Sequence, residues 1–148
     1  VTVIGPGISG TMIATGLVAW SGFARIVRGE VLALRERGFV IAATTIGASN
    51  SRVILRHILP NIVGPVLVMA SFTMAAAVII EASLSFLGLG AQPPLPSWGS
   101  MLNDGRTVIH RAYWTSVFPG VAIALLVFGF NLLGDGLRDV LDPQMRRR

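Results

Sequence analysis

Residues 58–80 read ILPNIVGPVLVMASFTMAAAVII, twenty-three positions without a charged side chain, followed at once by Glu81. A helix crosses the hydrocarbon core of a bilayer in about 20 residues, and a charge at its centre costs roughly 2.5–3.5 kcal/mol on insertion scales. Such a run therefore predicts a membrane span. Two more charge-free runs flank it, Val1–Ala24 and Ala112–Gly134. The first is weakened as a regular helix by Gly5, Pro6 and Gly7; the third opens on Tyr113 and Trp114, aromatic types that favour the membrane interface. The reading is an all-α integral membrane chain with spans at about 1–20, 60–84 and 113–134.

Composition agrees. Of 148 residues 53% are hydrophobic and only 13% charged, with a mean hydropathy of +0.71, whereas a soluble domain carries about 25% charged residues. All twelve basic residues are Arg. A sequence pI near 11.5 would suit a nucleic-acid binder only if those residues shared a water-facing surface; here they flank apolar runs, so no nucleic-acid partner is expected. Cysteine is absent, which removes disulfides, thiolate catalysis and Cys-based metal sites. The chain opens on an apolar Val1 with no initiator Met, so it is expected to begin partway through a longer protein.

Arginine placement sets the orientation, because cytoplasmic loops retain basic residues. Arg25, Arg28, Arg35, Arg37, Arg52 and Arg56 lie between the first two spans, and Arg138, Arg146, Arg147 and Arg148 follow the third. The connection at about 90–112 holds only Arg106 and Arg111. A cytoplasmic loop at 21–59, an external connection and a cytoplasmic tail at 135–148 follow.

Within the loop, Phe23, Ile26, Val27, Val31 and Leu34 recur at helical spacing, with Arg and Glu elsewhere, which predicts an amphipathic helix loosened at Gly38. A second helix is predicted over Phe39–Ile46, stopped by Gly47, and a short third over Arg52–Leu59, capped by Ser49, Asn50 or Ser51 and closed by Pro60, where the next span begins. Small residues at Ala42 and Ala43 before a Gly turn suit a compact knob that docks in a cleft. A helix lying among lipid headgroups fits the same pattern, and the residues alone leave both open.

The frame Ile41-Ala42-Ala43, three residues, Gly47, nine residues, then His57-Ile58-Leu59-Pro60 resembles the EAA loop of ABC-importer permeases. With Glu81-Ala-Ser-Leu-Ser-Phe-Leu-Gly-Leu-Gly90, Gln92-Pro-Pro, Pro96-Ser-Trp-Gly99 and Asn131-Leu-Leu-Gly-Asp135, the chain resembles the C-type permease subunit of the dipeptide, oligopeptide and nickel importers. The resemblance implies the C-terminal half of a type I importer permease of about six spans in a bacterial or archaeal inner membrane. It also implies a homologous permease partner, two cytoplasmic ATPases, an external solute-binding protein and a peptide substrate, with nickel or another small solute left open. Ile41, Ala42, Ala43, Gly47, Ala48, Arg52, His57, Leu59 and Pro60 would then form the ATPase-coupling element. The family's usual Glu at the head of this motif is Ile41 here, which implies either an apolar contact with the ATPase in its place or a copy that couples weakly or not at all. The chain has no Lys, so it lacks the P-loop lysine that reaches nucleotide phosphates, and ATP hydrolysis is expected of partners. No cofactor is expected.

Glu81 lies near or within the outer half of the membrane, where a carboxylate must be protonated, paired or facing water. It is a candidate for the translocation pathway, with Ser83 and Asn131 beside it; helix-to-helix hydrogen bonding explains Glu81 and Asn131 as well. Gly64, Ser71 and Ala75 share a helix face and predict close packing. Pro93, Pro94, Pro96, Trp98 and Gly99 predict a stiff external turn. The competing classes are a non-transporting scaffold and a membrane-embedded enzyme built from His57, Glu81, Asp104 and His110; topology separates His57 from the other three by roughly 30 Å of hydrocarbon.

Overall fold

The structure is a computed structural model that describes residues 8–92 and 94–141, so Gly5 to Gly7, Pro93 and Arg146 to Arg148 lie outside the described residues. The helical elements are α1 (Ile8–Arg35), α2 (Gly38–Thr45), α3 (Asn50–Val53), a π-helical turn (Ile54–Ile58), α4 (Leu59–Phe86), α5 (Trp98–Gly105) and α6 (Trp114–Leu141). Among the described residues there is no strand; the chain is an all-α membrane protein.

Two helices are long and apolar enough to cross a bilayer, the continuous Asn50–Phe86 and Trp114–Leu141. Only 17% and 11% of their most apolar stretches are buried. A core helix of a soluble protein buries most of that surface; these helices present it outward, as lipid or neighbouring helices require. Among the described residues α1 falls short of the same test, because Ser, Thr and Gly dilute its apolar half and Arg25, Arg28 and Glu30 occupy the other.

Three boundaries differ from the sequence reading. α1 runs unbroken through Trp20 into the stretch read as loop, ending at Arg35; it has no Pro, and the Ser21 hydroxyl donates to the Val18 carbonyl (3.0 Å) without interrupting it. Pro60 does not start a new helix. The chain is helical from Asn50 onward and passes Pro60 through the π turn, in which the Leu59 N–H reaches back five residues to the Ile54 carbonyl. Proline lacks an N–H and its ring crowds the carbonyl four residues before it, and one wider turn just ahead relieves that crowding. α6 continues past Gly134 to Leu141, with Arg138 in its last turn, where a cation suits the helix dipole.

α4 and α6 pack antiparallel. A Cβ added at Gly134 would lie 3.3 Å from the Ser71 Cβ and 3.2 Å from the Phe72 ring, and one at Gly64 would lie 3.3 Å from the Leu141 Cβ. Gly64, Ser71 and Ala75 are all buried, the packing face expected of a small-residue stripe.

The connection between α4 and α6 contains a helix, α5, where the sequence reading expected a stiff turn. Ser97 caps α5 in a reciprocal box: its Oγ accepts the Ser100 N–H (3.2 Å) and the Ser100 Oγ accepts the Ser97 N–H (3.0 Å). α5 lies across the C-terminal end of α4 and the N-terminal end of α6, against Ala82 and Ser85 through Gly99 and against Thr115 and Ser116 through Gly105.

Candidate functional site

The segment between α1 and α4 folds on itself. Val40, Ala43, Val53, Ile58 and Ile62 form a buried cluster, with Val27, Val31, Leu34, Ala48 and Val66 packed against it. The i, i+4 and i+7 residues Val27, Val31 and Leu34 give α1 the stripe that receives α2 and the head of α4. The cluster holds α2 in place: Ile58→Ala, at a side chain 4% exposed, is expected to destabilise the protein by about 2–4 kcal/mol, read as a lower thermal midpoint in detergent.

α2 ends in a full Schellman motif. Gly47 has φ +82°, the Ala48 N–H donates to the Ala43 carbonyl (3.1 Å), and the Gly47 N–H donates to the Thr44 carbonyl (3.0 Å). Ala43 and Ala48, the pair that flanks this bond, both belong to the apolar cluster, which is the hydrophobic contact that accompanies such caps. Thr44 and Thr45, which the sequence reading passed over, both donate their hydroxyls to the Ile41 carbonyl at 2.8 Å. Ser49 occupies the N-cap of α3, yet its side chain makes no cap hydrogen bond.

The coupling candidates thus divide. Ala43 is buried inside the element and Ala48 half-buried; Ile41, Ala42, Gly47, Arg52, Leu59 and Pro60 are exposed. His57 is half-buried, its ring 6.4 Å from that of Phe39, and so ties the π turn to α2. The tip carries a further residue with no sequence signal beyond its place before Gly47: Ile46 is 86% exposed, beside Ile41 at 52%. One face of α2 is anchored in the cluster while the other presents Ile41, Ala42 and Ile46, an apolar knob, with the exposed Arg35, Arg37 and Arg52 on the flanking segments.

Toward the other end of α4, Glu81 lines a cavity of about 790 Å³ between α1, α4 and the start of α5, with Thr15, Met74, Ser97 and Trp98 among its walls. Ser83 and Asn131 are not among its lining residues; the Ser83 hydroxyl is turned to the Ile79 carbonyl (2.7 Å), and Asn131 is half-buried on α6. A second cavity, of about 890 Å³, lies between α1, α4 and the end of α6 and has Glu30 and Arg138 in its wall. His57 stands at the head of α4, while Glu81, Asp104 and His110 lie toward its far end, and 28 residues of helix extend about 42 Å. The residues of the competing enzyme reading are therefore not assembled.

The family model described as binding-protein-dependent transport system inner membrane component matches residues 1–147. The chain is 48% identical over 146 residues to the dipeptide transport system permease protein DppC of Alkalihalophilus pseudofirmus, covering 99% of this chain and 48% of that protein. It is 49% identical over 146 residues, with the same coverage, to the glutathione transport system permease protein GsiD of Escherichia coli and of Shigella flexneri. The chain spans about half the length of the curated relatives it matches.

Proposed function

This chain belongs to the family of binding-protein-dependent transport system inner membrane components, and on that footing we propose that it forms part of the translocation pathway of an ATP-driven importer of short peptides. The relatives named for dipeptide and glutathione transport support the substrate class. In this reading it pairs with a homologous permease, two cytoplasmic ATPases and an external solute-binding protein, with the 36–59 element and the C-terminus cytoplasmic and α5 external. The enzymology belongs to the ATPases; this chain transmits motion.

The observation that carries the coupling role is the knob. A water-exposed Ile46 at a rigidly capped helix end is unfavourable unless a partner covers it, since an exposed apolar patch held in place marks an interaction site. One unbroken helix from Asn50 to Phe86 joins the knob to the Glu81 cavity, about 45 Å along its axis. Displacement of the knob by ATPase closure therefore reaches the cavity as movement of a single rigid element, with the π turn as its bend.

Ile41 sits on the exposed face, outside the cluster. Ile41→Glu is expected to change stability by no more than about 0.5 kcal/mol and to leave ATPase assembly intact in a pull-down; loss of assembly would show that the family's docking mode is not shared. The importer reading is tested by reconstituting the assembled transporter in vesicles with its binding protein. ATP-dependent uptake of labelled dialanine supports it and absence of that uptake removes it, while uptake unchanged by deletion of residues 39–51 removes the coupling role of the knob.

A further inference from the structure

Ser85 is the most deeply buried polar side chain described, 1% exposed. Its Oγ lies 2.6 Å from Glu81 Oε1 and 3.0 Å from the Ala91 backbone N–H. A hydroxyl carries one proton, and the amide of Ala91 is a donor only, so Oγ accepts there and donates its own proton to the Glu81 carboxylate, which in its ionised form only accepts. The bond order N–H to Oγ–H to Oε1 fixes one carboxylate oxygen as an acceptor. The surroundings hold this arrangement closed: a Cβ at Gly90 would fall 2.1 Å from the Ser85 Oγ, and one at Gly99 would fall 2.8 Å from the Ser85 Cβ.

Glu81 is the sole charged residue among the described lining of its cavity. A carboxylate there is costly unless it is protonated, faces water or meets a cation. The rest of the wall suits an ammonium group attached to a variable apolar body: Trp98 offers an aromatic surface for a cation, and Met12, Met74 and Met101 are adaptable thioethers. We propose that this cavity receives the primary ammonium of a short peptide, with the other oxygen of Glu81 as its acceptor and Ser85 as the positioning residue that aims the carboxylate. The proposal rests on the importer reading for its substrate, and adds the chemistry by which the chain itself recognises it.

The test uses the assembled transporter in lipid nanodiscs, treated with dicyclohexylcarbodiimide, with the adduct at Glu81 followed by mass spectrometry. Dialanine at about ten times its Kd is expected to slow labelling about tenfold, and N-acetyldialanine, which lacks the ammonium, to leave it unchanged. In Ser85→Ala the adduct still forms and dialanine no longer protects. Should that variant fail to fold, or should the ionised carboxylate give no adduct, Glu81→Gln supplies the second reading: the KM for dialanine uptake rises about tenfold while kcat stays within about twofold. Equal protection by both compounds, protection by neither, protection retained in Ser85→Ala, or an unchanged KM in Glu81→Gln overturns the proposal. Absence of dialanine uptake in the unaltered transporter sinks the importer reading instead, because the labelling pattern is measured without transport.

Discussion

Gly99→Ala is expected to unseat α5 from α4, because a Cβ there would lie 2.2 Å from the Ala82 carbonyl oxygen and 2.9 Å from its carbon. Both are backbone atoms of a helix and cannot swing aside as a side-chain end would. Overpacking of this kind costs about 1–3 kcal/mol, and the upper end applies where no rotamer relieves it. A thermal midpoint roughly 5–10 °C below that of the parent in detergent is the expected reading. The same strain propagates to Ser85, whose Cβ is the other close neighbour, so the Glu81 adduct should lose its protection by dialanine together with the stability. Gly136→Ala is the control: nothing lies within 4 Å of its added Cβ, and alanine is the better helix former by up to about 1 kcal/mol. A Gly99→Ala protein that melts with the parent would mean that the first turn of α5 does not rest on α4.

What the sequence made legible follows from how each element is stabilised. Residues 58–80 announce a span because their apolar character is spread over the whole run, and Gly47 announces a stop because the left-handed backbone there selects for glycine. Both signals are local. The passage of Pro60 was not legible: proline at the head of an apolar run reads as a helix start, and the π turn that lets an existing helix continue through it leaves no composition of its own. α5 was hidden because its capping box uses Ser100 where the recognisable pattern has Glu or Gln, among prolines that suggest an irregular turn. The amphipathic helix over Phe23 to Leu34 was legible, but its continuity with the preceding span in α1 was obscured by its arginines, which mark a membrane boundary without marking a helix end.

The site shows the same division. The frame from Ala42 to Pro60 located the knob, but two adjacent alanines give no indication that Ala43 faces inward while Ala42 faces out; that depends on the path of α1, whose Val27, Val31 and Leu34 receive α2. Ser85 was invisible for a stronger reason. Its role consists of a contact to Ala91 across the turn at Gly88 and Gly90, and a serine in Leu-Ser-Phe has no pattern that distinguishes a bridge from a filler. Glu81 was conspicuous by its charge alone, and the partner that aims it became evident only through burial.

Gly47→Val is expected to uncouple ATP hydrolysis from transport while leaving the membrane helices folded. Gly47 and Gly99 both disfavour a larger side chain, for opposite reasons: at Gly47 an added Cβ meets nothing within 4 Å, whereas φ is +82°. The penalty there is conformational, about 1–2 kcal/mol for an ordinary side chain in the left-handed region, and larger for a β-branched one whose χ1 is already restricted. Relief requires the φ to change sign, which breaks the bond from the Ala48 N–H to the Ala43 carbonyl and frees the tip that carries Ile46. The knob then loses its rigidity but not its composition. Substitutions should therefore rank by their tolerance of positive φ, with Asn retaining most of the substrate-stimulated uptake, Ala less and Val least, since Asn visits this region more readily than other residues with a Cβ. Uptake per ATP hydrolysed in reconstituted vesicles measures the coupling, and a melting curve close to that of the parent would show that the loss is local to the knob. Were Ala and Asn to behave alike and Val no worse, the backbone geometry at Gly47 would not be what transmits the motion, and the apolar face of Ile41 and Ile46 alone would have to account for docking.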